Sequence, residues 1–212
     1  MMSKERDIRM NIKKALKRSV MVLLGSFIMG IGIYLTIVGN IGSDPLTMLW
    51  IGIAEKLTIT VGQANLLVSA VMLVIVFFID RKELFVGSLL NPLVIALTTD
   101  FLTQFSFSID SKVMQILIFI SGLLVMALGI ALYSLAGFGR GAYEALVFSL
   151  SNIFKLSIRV VRTSFDILFT LIGFLLGVGI SFAPFLAIVF MGILIQFFIQ
   201  KLLRPTAEFL GE

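Results

Sequence analysis

SVMVLLGSFIMGIGIYLTIVG, residues 19–39, runs 21 positions without a charge. At about 1.5 Å of rise per residue this is roughly 30 Å of helix, the thickness of a bilayer's hydrocarbon core. Seven basic residues precede it: Lys4, Arg6, Arg9, Lys13, Lys14, Lys17 and Arg18. Such a flank holds the N-terminus in the cytoplasm. The run is longer than a signal-peptide h-region, with no clear small-residue cleavage site after it, so it reads as a retained first span. Ile8, Ile12, Ala15 and Leu16 share one helical face ahead of it, which places that segment at the inner membrane surface.

The same stretch recurs. Shifted by 97 residues without a gap, it falls on ILIFISGLLVMALGIALYSLA, residues 116–136. Gly25 meets Gly122, Met29 meets Met126, Gly32 meets Gly129 and Leu35 meets Leu132. Beyond it, Gly42 meets Gly139 and Leu49 meets Leu146. Each half has one order: long span, glycine-containing turn, short helix, two spans. Duplication explains shared glycines and shared order better than chance matching between apolar segments.

Composition agrees with a membrane chain. Of 212 residues, 59% are hydrophobic and 14% charged, against about 25% charged in a soluble domain. Mean hydropathy is +1.10. Six segments reach span length, at approximately 19–39, 61–79, 84–102, 113–135, 159–179 and 182–203; the third contains Asn91-Pro92, an expected kink. Two further apolar segments, Pro45 to Leu57 and Ala142 to Leu156, are too short to cross comfortably. They read as re-entrant half-helices or as interfacial ones. The fold expected is therefore an all-α polytopic membrane protein. It has six transmembrane helices in two homologous three-span repeats, each with one short helix.

Three spans per half make the repeat inverted, as in many transporters. If the short helices also cross, there are eight spans and parallel repeats. Charge barely separates the two: six spans put 15 basic residues inside and Lys56 and Lys112 outside, while eight put Arg81, Lys82 and Arg140 outside. Segment length favours six. The parts are then a basic cytoplasmic segment at 1–18, a first repeat at 19–105, a second at 113–203, and a short cytoplasmic tail at 204–212.

Histidine and cysteine are both absent. That excludes thiolate sites, a Ser-His-Asp triad and the commonest metal ligand. No cofactor or metal is expected, and no enzyme. The net charge of +5 is accounted for by membrane topology, without an RNA-binding motif or a nucleic-acid partner.

Polar residues inside the spans carry the functional signal, because ionisable groups at membrane depth mark pathways and sites. Arg159, Arg162, Asp166 and Thr170 share one face of the fifth span, and Arg162 and Asp166 can pair across a turn. Under the repeat shift Asn65 meets Arg162 and Ser69 meets Asp166; hydrogen bonding between helices is their plainer role. The two turns, Gly39-Asn40-Ile41-Gly42-Ser43-Asp44-Pro45 and Gly137-Phe138-Gly139-Arg140-Gly141, each open a short helix whose N-terminus suits an anionic group. Asp44 can instead serve only as an N-cap. Arg140 adds positive charge, and Glu144, one turn on, can pair with it. Asp100 ends the third span, where it either forms a gate or meets solvent. The candidate substrate-binding set is thus Arg162, Asp166, Arg140, Glu144, Asn65, Ser69, Asp44 and Asp100.

On these features the chain resembles the YczE/YyaS/YitT group of small bacterial membrane proteins, over roughly residues 20–203. That group has a glycine-rich turn ending in Gly-Pro-Trp-Asp. Here Gly42-Ser43-Asp44-Pro45-Leu46-Thr47 keeps the Pro and lacks the Trp and Asp. Glu144 fits the acidic residue of the second turn, Arg162 the arginine entering the next span, and Asp166 the acidic residue after it. Asp100 fits an acidic residue near the end of the first half. The group's later glycine-rich turn is poorly kept at Ile180-Ser181-Phe182-Ala183. What the resemblance implies is modest: export or permease roles proposed for parts of the group, and nothing that implies an enzyme.

The function expected is a small secondary transporter or permease of the bacterial cytoplasmic membrane. It moves a small solute, an anionic one fitting the basic residues, with both termini cytoplasmic. Two rivals stand beside it: a substrate-binding membrane subunit of a vitamin importer, and a non-transporting membrane partner or regulator. The lipid bilayer and the solute are the expected partners, and a chain this small can also work as a homodimer.

Overall fold

The computed structural model describes residues 2–105, 108–179 and 181–203, with side chains between Ala15 and Lys201. The expected tail at 204–212, Ile180, and the side chains of Ile8, Ile12, Lys4, Arg6, Arg9, Lys13 and Lys14 lie outside the described residues.

Lipid offers a backbone no hydrogen-bond partner, so apolar runs of this length resolve as helices. The order is α1 (Met2–Val38), α2 (Pro45–Leu57), α3 (Val61–Asp80), α4 (Val86–Thr103), α5 (Lys112–Leu135), α6 (Ala142–Phe154), α7 (Ile158–Leu175) and α8 (Ala183–Phe197). A short 3₁₀ turn, Arg81–Glu83, links α3 to α4, and a π-helical stretch, Phe198–Leu203, extends α8. Helix starts follow local chemistry. Thr60 accepts from Gln63 N–H at the head of α3, and Ser157 accepts from Val160 N–H at the head of α7.

Among the described residues, five helices are long and apolar enough to cross a membrane: Ala15–Val38, Val61–Glu83, Val86–Thr103, Lys112–Leu135 and Ala183–Lys201. The sixth expected span, 159–179, forms as α7 but ends at Leu175 and is the most amphipathic helix of the molecule. Arg159, Arg162 and Asp166 keep it out of the apolar class. One face is too charged for lipid, while Ile167, Leu168, Leu171 and Leu175 on the rest are exposed. Exposed Leu, Ile, Val and Phe side chains also coat the outward faces of α3, α4, α5 and α8. So large an apolar surface is a bilayer-facing one.

The short helices are 13 residues each, about 20 Å long, and much of each is buried between longer helices. Their surroundings repeat. Asn40 and Gly137 have φ of 52° and 56°, Gly42 and Gly139 have 112° and 105°, and Thr58 and Lys155 have 55° and 53°. All three pairs are 97 residues apart, so both halves turn into and out of their short helix along the same backbone path. Glycine stands where φ exceeds 100°, a region a side chain resists.

The centre of the bundle is the seam between α1 and α5. A Cβ on Gly25 would fall 2.6 Å from Tyr133 N and 2.9 Å from Gly129 O, and one on Gly122 would fall 2.9 Å from Gly32 O. Glycine alone permits this approach. Gly25 faces Gly129, Gly32 faces Gly122 and Gly39 faces Gln115, so the two helices run antiparallel. Around the seam, α2 of the first half packs on α7 of the second, and α6 of the second packs on α3 of the first. Along α2 and α7, Met48 sits on Gly173 and Gly52 on Leu176. Against α1, the α4 helix is pinned at Asn91, whose Nδ2 donates to Ser26 Oγ at 2.9 Å.

Candidate functional site

Between the halves lies a cavity of about 1820 Å³. Its mouth is basic, with Arg18, Lys82, Arg140 and Arg159 around it. Its deep end is formed by Asp44, Thr47 and Trp50 of the α2 turn and first turns. One wall is apolar, built from Met29, Ile33, Ile95, Met126, Ile130 and Met191. A second, polar part of the lining carries Tyr133, Tyr143, Glu144, Arg162 and Asp166. Small-molecule sites are mainly apolar with a few convergent polar groups, and commonly about 300–1,000 Å³. This one is larger because it opens at its mouth.

The polar wall has an unexpected wiring. Tyr143 Oη donates to Asp166 Oδ1 at 2.6 Å and lies 3.1 Å from Arg162 O. The guanidinium of Arg162 sits 5.2 Å from the centre of the Tyr143 ring. Among the described residues no carboxylate comes within ion-pair distance of Arg162, so the expected Arg162–Asp166 pair does not form. α6 supplies a closer partner for the acid, and Tyr143 wedges between the two. Asp166 is 8% exposed, and its main-chain carbonyl accepts from Thr170 Oγ1 at 2.8 Å.

Asp44 caps α2 through one oxygen, Oδ1, which accepts Thr47 N–H at 3.1 Å. Its other oxygen is buried without a hydrogen-bond partner, as are Thr47 Oγ1, Trp50 Nε1 and Tyr133 Oη. Asp44 therefore caps its helix through one oxygen and keeps the other covered and unsatisfied. Asp44 lies within electrostatic reach of Arg162 and Asp166. At the N-terminus of α6, a Cβ on Gly141 would lie 2.8 Å from Asn91 Oδ1, 2.8 Å from Glu144 Oε2 and 3.0 Å from Tyr133 Oη. Three polar groups from three helices converge there, and the missing side chain leaves the space between them.

Asn65 and Ser69 line the cavity too, but their hydrogen bonds are spent. Asn65 Nδ2 donates to Pro92 O at 3.0 Å, and Ser69 Oγ donates to Asn65 Oδ1 at 3.0 Å. The pair joins α3 to α4 where the proline interrupts that helix. Arg140 stays at the mouth, but its ion-pair partner is Glu83, not Glu144. Its guanidinium also lies 3.5 Å from the centre of the Phe148 ring. The α5–α6 turn docks on the start of α4, where Gly87 N–H donates to Phe138 O at 2.8 Å, and this brings Arg140 to Glu83. Asp100 is outside the cavity. It accepts Thr60 Oγ1 at 2.5 Å and Gly62 N–H at 2.7 Å, tying the end of α4 to the start of α3.

Seven of the eight candidates thus line one cavity, and Asp100 does not. Sequence reasoning gave no site role to Trp50, Tyr133, Tyr143 or Asn91. The signal for three of them was composition. The chain has one Trp and three Tyr, and a polar aromatic inside an apolar helix needs a partner or a ligand. Among the described residues, no cluster of acidic groups is arranged to hold a metal ion.

A family model matches residues 16–200, that of a family of unknown function, DUF6198. The chain belongs to this family. It is 33% identical over 189 residues to an uncharacterized protein of Haemophilus influenzae, covering 88% of this chain and 86% of that one. YyaS of Bacillus subtilis is 25% identical over 178 residues, 82% of this chain and 89% of the relative. YczE, an uncharacterized membrane protein of the same bacterium, is 23% identical over 174 residues, 82% of this chain and 81% of the relative. The YczE/YyaS resemblance read from the turns and the polar span is therefore correct, and the chain is a membrane protein. No solved structure matches it.

Proposed function

We propose that this protein is a small secondary transporter of the bacterial cytoplasmic membrane that carries a solute with an anionic group through the central cavity. The observation that carries the reading is Arg162: a guanidinium inside the bundle, facing a cavity, with Glu144 and Asp166 acting on it electrostatically and, among the described residues, no carboxylate within ion-pair distance. A charge in such a place is costly unless function holds it there.

Two further observations support alternating access. The antiparallel α1–α5 seam and the matching turn backbones are what a six-span inverted repeat requires, with α7 as the sixth span. In such a repeat, the start of α3 and the end of α4 correspond to the start of α7 and the end of α8. The first pair is closed by the Asp100–Thr60 and Asp100–Gly62 bonds. The second pair is packed less closely than the first, and Arg159 and Gln196 from its two helices both line the cavity. Exchanging these two arrangements closes the basic mouth and opens the opposite end. The basic mouth is cytoplasmic by the positive-inside rule, so this state faces inward.

The test uses the natural absence of cysteine. Met126, on the seam and in the cavity wall, is replaced by cysteine. Reaction with an impermeant thiol reagent is followed in right-side-out and inverted vesicles. Labelling from both sides is expected. Labelling from the cytoplasmic side alone would leave a binding cavity and no transporter.

A further inference from the structure

Resting on that reading, we infer that the solute is a zwitterion: a carboxylate and an ammonium group on a small apolar framework, the chemistry of an apolar amino acid. The cavity holds unpaired charges of both signs. Among the described residues Arg162 has no carboxylate within ion-pair distance, although Glu144 and Asp166 act on it electrostatically. Asp44 is 6% exposed and keeps one carboxylate oxygen buried and unpartnered. A simple anion would satisfy Arg162 and leave Asp44 bare. A simple cation would do the reverse. Each leaves one of the two buried groups without a direct partner, the costlier outcome in a low-dielectric site. A ligand with both groups gives Arg162 and Asp44 a direct partner each.

The neighbouring groups divide in the same way. Trp50 Nε1–H, in the same cavity lining, is a donor without an acceptor, of the kind a carboxylate oxygen satisfies. Asp44 Oδ2 is an acceptor without a donor, suited to an ammonium N–H. Tyr143 keeps the arrangement open. By hydrogen bonding Asp166 it keeps that carboxylate from pairing directly with Arg162. Met29, Met126 and Met191 across the cavity form an adaptable apolar surface for the rest of the ligand.

The purified full-length protein is titrated calorimetrically with leucine, with 4-methylpentanoate, which lacks the amine, and with 3-methylbutylamine, which lacks the carboxylate. Leucine is expected to bind at least about tenfold more tightly than either, since each charged hydrogen bond lost is worth that much. Arg162→Gln should erase the preference for leucine over the amine. Asp44→Asn, which keeps a good N-cap, should erase the preference for leucine over the carboxylate. Equal binding of 4-methylpentanoate and leucine, or no heat with any of the three, overturns the inference. Counterflow in proteoliposomes separates this from the transport reading. Leucine binding without counterflow sinks transport and keeps the zwitterion site. Counterflow of 4-methylpentanoate equal to that of leucine keeps transport and sinks the zwitterion.

Discussion

Tyr143 Oη lies 2.6 Å from Asp166 Oδ1, and this bond decides the electrostatics of the cavity. It takes the acid away from Arg162 on the same helix and ties α6 to α7. Tyr143→Phe should therefore lower stability by about 1.5–3 kcal/mol, the range for a hydrogen bond to a charged group. Combined with Asp166→Asn in a double-mutant cycle, the two changes should be non-additive by at least about 1 kcal/mol. Reversible unfolding in mixed detergent micelles measures both. Additive losses would mean that the bond contributes nothing and that Arg162 stands alone for another reason.

Asp100 makes a different kind of bond. It links Thr60 Oγ1 and Gly62 N–H to α4 at the end of the bundle remote from the basic mouth. Asp100→Ala removes both acceptors at once. We expect a loss of about 1.5–3 kcal/mol, together with faster labelling of the Met126→Cys variant from the outer side. Unchanged outer labelling with reduced stability would make Asp100 a helix-end tie and nothing more.

These two acids show where the sequence was legible and where it was not. Spacing on one helix is readable, so the face of Arg159, Arg162, Asp166 and Thr170 was found, as were both short helices. The 97-residue shift was readable because glycine recurs where α1 and α5 touch and where both turns reverse. Partner choice was not readable. Arg140 pairs with Glu83, 57 positions away, because the α5–α6 turn lands on the start of α4. Asp100 meets Thr60 across 40 positions. Asp166 found Tyr143 on another helix for the same reason. Such contacts are set by how helices pack, and an isolated helix face does not encode them. The span count shows a related limit. Length and hydropathy define five spans, and α7 joins them only if a cavity receives its charges.

The glycine seam gives the sharpest stability prediction. A side chain at Gly25 meets Tyr133 N and Gly129 O, both main-chain atoms that cannot swing aside. Gly25→Val should thus push α1 and α5 apart and cost at least about 1–3 kcal/mol, the usual range for overpacking. Gly179 has no atom within 4 Å of an added Cβ. Gly179→Ala should leave stability within about 0.5 kcal/mol of the parent. Melting curves of the two purified variants make the comparison. A Gly25→Val protein as stable as the parent would show that the seam is looser than the geometry implies.

Orientation is open to the most direct measurement. Lys112 opens α5 and is exposed, and Arg81, also exposed, stands in the turn between α3 and α4. In an inverted six-span repeat with the N-terminus inside, residue 112 is outside and residue 81 is inside. Single Lys112→Cys and Arg81→Cys variants of this cysteine-free chain would carry the only thiols present. An impermeant maleimide should label Lys112→Cys in intact cells and Arg81→Cys only after lysis. The reverse result would turn the basic mouth outward, against the positive-inside rule, and the cavity described above would then be the outward-facing one. Labelling of both in intact cells would put the two residues on one side. The antiparallel seam could not then relate the two halves across the membrane, and the alternating-access reading would fall with it.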